Sequence, residues 1–213
     1  MSNPKSPRPT MTTSGRAMQR PLAFQVAYRR ATVAWARYQE VNLKKILVMI
    51  STLLLGGCLG MPESVKPVTD FELNKYLGKW YEIARLDHSF ERGLSQVTAE
   101  YSLKSDGGVL VLNRGFSEAD NKWKEAEGKA YFVNAASEGY LKVSFFGPFY
   151  GSYVVFELDH KDYEYAFVSG PDTDYLWLLS RTPSVESEVL QKFLDMSKER
   201  GFDTDKLIYV QQK

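Results

Sequence analysis

The chain has 213 residues and a formal net charge of +1, with 27 Lys/Arg, 26 Asp/Glu and 2 histidines. The balance hides an asymmetry: residues 1–57 carry nine basic side chains and one acid, whereas residues 58–213 carry 18 Lys/Arg against 25 Asp/Glu, a formal −7. That sign argues against nucleic acid, whose binding rests on clustered positive charge, and with Cys58 the only cysteine no internal disulfide can form.

Residues 1–40 contain Pro4, Pro7, Pro9, seven basic residues and Glu40, without strand-like alternation. They are expected to be a non-native or disordered extension. Val41, which an alternative bacterial start codon would encode when read internally, stands three residues before Lys44 and is the expected natural start. After Lys44-Lys45, Ile46 to Leu55 is apolar except for Ser51 and Thr52, and Gly56-Gly57-Cys58 follows. Ten such residues span ~15 Å as a helix against a hydrocarbon core of roughly 30 Å, too short to cross a membrane. The order resembles a bacterial lipoprotein signal peptide, with Leu53-Leu54-Leu55-Gly56-Gly57-Cys58 as its cleavage box. It implies that residues 41–57 are removed and that Cys58 becomes an acylated lipid anchor. A second reading, a buried core helix with an incidental thiol, does not require the small residues before the cysteine.

Residues 58–69, with Gly60, Pro62 and Pro67, read as a tether ahead of a domain over 70–213. Phe71 to Leu77 fits one or two helical turns with Asp70 as N-cap. Strand patterns then recur over Lys79–His88, Gln96–Lys104, Val109–Phe116, Lys122–Val133, Tyr140–Phe146, Ser152–Leu158, Glu164–Ser169 and Tyr175–Arg181, with turn signals such as Ser105-Asp106-Gly107-Gly108 and Gly170-Pro171-Asp172 between them. Short connections make neighbours antiparallel, and eight such strands favour an up-and-down β-barrel, which removes exposed edges and leaves room for one small ligand. Thr182-Pro183 reads as an N-cap and first helical position. Val185, Val189, Phe193 and Met196 form one apolar face, and Gly201 a stop. This predicts a C-terminal α-helix packed outside the barrel, with a short final strand over Leu207 to Val210.

Gly78-Lys79-Trp80-Tyr81 near the first strand, Thr173-Asp174-Tyr175 before the eighth and Arg181 at its end resemble the three conserved regions of the lipocalin family. Longer stretches, His88-Ser89-Phe90-Glu91-Arg92-Gly93 and Tyr175-Leu176-Trp177-Leu178-Leu179-Ser180-Arg181 among them, look like the bacterial outer-membrane lipoprotein lipocalins, themselves similar to apolipoprotein D. The resemblance covers residues 58–213. It assigns Gly78, Trp80, Thr173, Asp174, Tyr175 and Arg181 to the structural motif, with Trp80 closing the bottom of the barrel under Arg181, a cation–π contact of ~1–2 kcal/mol.

From Arg181, strand period puts Trp177 and Tyr175 on the same face, progressively higher. Leu141, Val143 and Phe145 on one strand, and Ala130 and Phe132 on another, are the more apolar faces and should point inward. Phe90, Phe132, Phe145, Tyr153, Tyr175 and Trp177 are therefore the candidate ligand-binding residues: an apolar pocket with polar handles from the tyrosine hydroxyls. The resemblance implies fatty acids, phospholipids and especially lysophospholipids as ligands. It further implies outer-membrane maintenance under stress, membrane attachment through Cys58, sorting to the outer membrane and homodimerisation. No cofactor and no metal is expected.

Three rivals remain at the level of sequence. An enzyme would have to use His88 or His160, but no Gly-x-Ser-x-Gly, His-Glu-x-x-His, phosphate loop or cysteine nucleophile accompanies them. A membrane-spanning barrel would need apolar residues outside and a polar interior. A scavenger of haem, pigments or toxins would use the same pocket.

Overall fold

The computed structural model describes residues 59–213; residues 1–57 and Cys58, with the expectations that fall on them, lie outside the described residues. A single helical turn, α1 (Leu73–Tyr76), precedes eight strands: β1 (Gly78–Arg85), β2 (Leu94–Leu103), β3 (Val109–Ser117), β4 (Lys122–Phe132), β5 (Tyr140–Phe146), β6 (Phe149–Leu158), β7 (Tyr165–Ser169) and β8 (Leu176–Ser180). Helix α2 (Ser187–Glu199), a 3-10 turn (Thr204–Lys206) and the two-residue β9 (Ile208–Tyr209) follow. Each of β2 to β8 pairs antiparallel with its neighbour in sequence, and β1 pairs with both β8 and β2, so the sheet closes into the expected barrel. In such a meander the β1–β2, β3–β4, β5–β6 and β7–β8 connections share one end. The other connections, with α1, occupy the opposite end.

Alternation along the strands builds two cores on either side of one wall. Inside lie Trp80, Tyr101, Val109, Val111, Ala130, Leu141, Leu158, Ala166, Val168 and Leu179. Outside, Ala84, Val154, Phe156, Phe167, Leu176 and Leu178 pack with Phe193 of α2. The apolar stripe of α2 is thus buried against β6, β7 and β8, as its 3.6-residue spacing requires.

Three local expectations are corrected. Helix α2 begins at Ser187, not after Thr182: the Thr182 hydroxyl donates to the Ser184 carbonyl (2.6 Å) and its amide donates to Ser180 Oγ (3.1 Å), a local turn that replaces a cap. Asp70 is not an N-cap, because it adopts φ 56° and Glu72 holds the cap position of α1. Asp70 turns the chain so that the Phe71 amide bonds Ser137 and its ring enters the barrel. Finally, β1 ends at Arg85, which leaves His88 in a loop.

The barrel has a seam. β1 pairs with β2 only over Gly78–Tyr81, and from Ala84 onward β9 takes that side. The C-terminal residues stitch the gap: Val210 N donates to Ile83 O (2.9 Å), Gln96 N to Gln211 O (2.8 Å), and Gln212 Nε2 to both Glu82 O (2.7 Å) and Val97 O (3.0 Å).

Candidate ligand-binding site

The floor of the barrel is shut. Trp80 is fully buried, donates its indole N–H to Tyr76 O (2.8 Å), and lies under the Arg181 guanidinium at 4.0 Å from the ring centroid. Arg181 donates to four carbonyls, Lys79 (2.9 Å), Lys75 (2.6 Å), Leu77 (3.0 Å) and Tyr163 (3.3 Å), tying α1, β1 and the β6–β7 loop together. Gly78 stands at φ +92°, a backbone that side chains rarely adopt.

Above the floor the interior carries polar groups. Tyr153 of β6 shares hydrogen bonds with the hydroxyls of Tyr76 (2.7 Å) and Tyr101 (2.8 Å). Burial pushes all three hydroxyls above the usual tyrosine range. On β1, Glu82 lies two residues from Trp80 and so faces in. The register shift between Glu82 and Ala84 then reverses the phase, sending Ala84 outward beneath α2 and Arg85 inward. Arg85 Nη1 bonds Glu82 Oε1 (2.6 Å), and Nη2 bonds the Glu91 carbonyl (2.9 Å). The Glu91 carboxylate stands 4.0 Å from Arg85 Nε and accepts the Trp177 indole N–H (3.1 Å). Two buried acids share one guanidinium. Burial raises both carboxyls above their ordinary value, Glu82 strongly and with the Glu91 charge adding to it, while Arg85 opposes the rise.

Around the mouth, the His88 ring stacks on Tyr175 (5.0 Å) and Phe90 (5.2 Å) and tilts against Trp177 (4.7 Å). Burial, then the nearby Arg85 charge, lowers His88 to about 4, against the pull of Asp87. On the opposite side of the barrel the wall is open. β4 pairs with β5 only over Lys129–Phe132, because β5 stops at Phe146, and Lys122–Glu127 is exposed on both faces. Between floor and mouth, Val143, Phe145, Tyr153 and Trp177 face the axis yet stay half-buried. These are surfaces a ligand would cover.

The expected residues therefore divide. Phe145, Tyr153 and Trp177 line the interior, whereas Phe132 sits on the floor edge-on to Phe71 (6.1 Å). Tyr175 and the exposed Phe90 flank His88 at the rim. Thr173 and Asp174 lie in the β7–β8 loop, whose turn is closed by the Asp172 carboxylate accepting the Asp174 amide (2.9 Å). The sequence reading missed Tyr76, Glu82, Arg85, Glu91 and Tyr101; for Glu82 the signal was available in its spacing from Trp80. His160 is exposed in the β6–β7 turn, at the closed end of the barrel and away from the mouth. Outward strand positions carry Lys79, Glu100, Ser102 and Lys129, all exposed, which a lipid-facing barrel would not present.

A closed eight-strand antiparallel barrel with a plugged floor, a mostly apolar interior and an external C-terminal helix defines a lipocalin. Residues 71–212 match the lipocalin-like domain model, and the chain belongs to that family. It is 74% identical over 171 residues to the outer membrane lipoprotein Blc of Vibrio cholerae, covering 80% of this chain and 100% of that protein. It is 54% identical over 151 residues to the outer membrane lipoprotein Blc of Escherichia coli K12, covering 71% of this chain and 85% of that protein. Among solved structures, insecticyanin of the tobacco hornworm Manduca sexta superposes with a TM-score of 0.58 at 25% identity, over 72% of this chain and 87% of that one.

Proposed function

We propose that the domain carries single-chain or diacyl lipids, namely fatty acids, phospholipids or lysophospholipids, for upkeep of the outer membrane under stress. As a lipocalin it is a binding protein for small hydrophobic ligands and not an enzyme, and the two bacterial relatives named above are lipoproteins of the outer membrane. The observation that carries the lipid reading is the half-buried apolar set Val143, Phe145, Tyr153 and Trp177, facing the axis above a sealed floor. Each methylene buried there contributes roughly 0.8 kcal/mol, so an acyl chain binds without specific polar contacts. The headgroup stays near His88 and the rim. Acylation at Cys58 supplies the membrane attachment in this reading.

Incubation with lysophosphatidylethanolamine followed by native mass spectrometry tests it. One intact lipid retained per chain is the expected result. Release of free fatty acid with turnover, or no retention, overturns it. The same measurement on protein purified from its own host identifies the natural ligand and separates lipid from haem or pigment.

A further inference from the structure

The tether has a direction. From the closed end, where Phe71 N bonds Ser137, it runs back along β6: Val68 pairs with Val155 and Gly139, and Gly60 N donates to Ser152 Oγ at 3.0 Å. Ser152 is three residues from Phe149, about 10 Å along the strand from the tip of the β5–β6 hairpin. Gly60 stands two positions after Cys58, a reach of at most ~7 Å. The chain therefore leaves the barrel near its open end.

That end is also where large apolar side chains are exposed. Phe146 (81%), Phe149 (68%), Phe90 (60%) and Trp123 (46%) sit on or beside the β5–β6, β1–β2 and β3–β4 connections. At the closed end, Leu103 is the one exposed large apolar residue among those described. A cluster of exposed aromatics facing water is unfavourable for a monomer, and aromatic rings suit the headgroup level of a bilayer.

We propose that the barrel docks mouth-down on the bilayer, with Phe90, Trp123, Phe146 and Phe149 inserted into its surface and the anchor emerging beside them. A lipid then passes between membrane and cavity without crossing water. The exit of the anchor rests on the lipoprotein reading of Cys58; the aromatic rim does not.

Because acylation consumes the only native cysteine, an introduced one is a unique labelling site in the processed protein. Gly147→Cys and Ala119→Cys mark the open end, and Ser105→Cys and Ala136→Cys the closed end. All four positions are exposed, and a Cβ at Gly147 meets nothing within 4 Å. On vesicles of phosphatidylethanolamine and phosphatidylglycerol with brominated chains, a fluorophore at the open-end positions is expected to be quenched at least ~2-fold, and at the closed-end positions not at all. Quenching at the closed end, at both ends equally, or at neither while the protein floats with the vesicles overturns the proposal. Flotation of Cys58→Ala protein equal to that of the parent sinks the anchor reading alone, and the quenching pattern then decides docking. Loss of flotation in both proteins sinks both ideas. Phe146→Ser/Phe149→Ser is further expected to slow lipid pick-up from vesicles about tenfold while leaving binding of monomeric lysolipid at one per chain; unchanged pick-up also counts against docking.

Discussion

Trp177 on β8 donates its indole N–H to the Glu91 carboxylate at 3.1 Å, so the last strand of the ring holds the first loop across the mouth. The other side of Glu91 faces Arg85, which Glu82 shares. Two acids against one base make the cluster asymmetric. Glu91→Gln keeps an acceptor for Trp177 and leaves a one-to-one Arg85–Glu82 pair, so little stability should be lost. Arg85→Met strands two buried carboxylates, and removing the partner of a buried charge costs about 3–5 kcal/mol. Thermal melting of the two variants side by side checks this; equal shifts would show that the guanidinium is not what the acids depend on.

Trp80→Ala removes the floor. A buried tryptophan truncated to alanine costs roughly 3–5 kcal/mol, and here the Arg181 stack at 4.0 Å and the bond to Tyr76 O go with it. The melting temperature should fall sharply, while the ratio of affinities for two lipids, measured well below the transition, stays as in the parent. Unchanged melting would refute a structural role.

The pH response separates His88 from Glu82. The His88 value in the folded protein, about 4, lies below the usual 6.5. The unfolded chain thus binds the proton more tightly, and this contribution to stability is complete above about 6.5 and lost as pH falls from 6.5 towards 4. His88→Phe keeps an aromatic ring against Tyr175 and should flatten the fall of melting temperature over that window. Glu82 is shifted the other way, so its contribution is lost as pH rises above the ordinary carboxylate range. Glu82→Gln should therefore lessen the fall on the alkaline side. Parallel curves for parent and variants would show that neither group titrates differently on folding.

Val143 faces the axis on β5 and is half-buried. Val143→Trp fills interior space without touching the floor, so acyl-chain affinity should drop at least tenfold, about 1.4 kcal/mol, with melting unchanged or higher. Calorimetric titration with lysolipids of increasing chain length reads it, and undiminished affinity for the longest would place the chain elsewhere.

Strand alternation made the barrel legible: Tyr140–Phe146 runs as its pattern predicts, and Phe145, Tyr153 and Trp177 face in as period two requires. Trp80 and Arg181 were placed by resemblance, and the 4.0 Å stack agrees. Arg85 was not legible, since the phase change at Ile83 is a backbone irregularity with no signature in residue type. Glu91 lies in a loop, where no period applies. The Tyr76–Tyr153–Tyr101 chain links residues 77 and 52 positions apart and exists only once the ring has closed. Thr182-Pro183 misled because a cap and a local turn draw on the same hydroxyl.

The stitched seam bears on when the protein can fold. The upper half of β1 has β8 on one side and β9 with the last three residues before Lys213 on the other. The partners on that second side do not exist until the C-terminal residues are present. A chain made amino-terminus first can pair β1 with β2 near Trp80, yet its mouth stays unfastened until the last residues are added. The mouth of the barrel is thereby completed only once the whole domain is present.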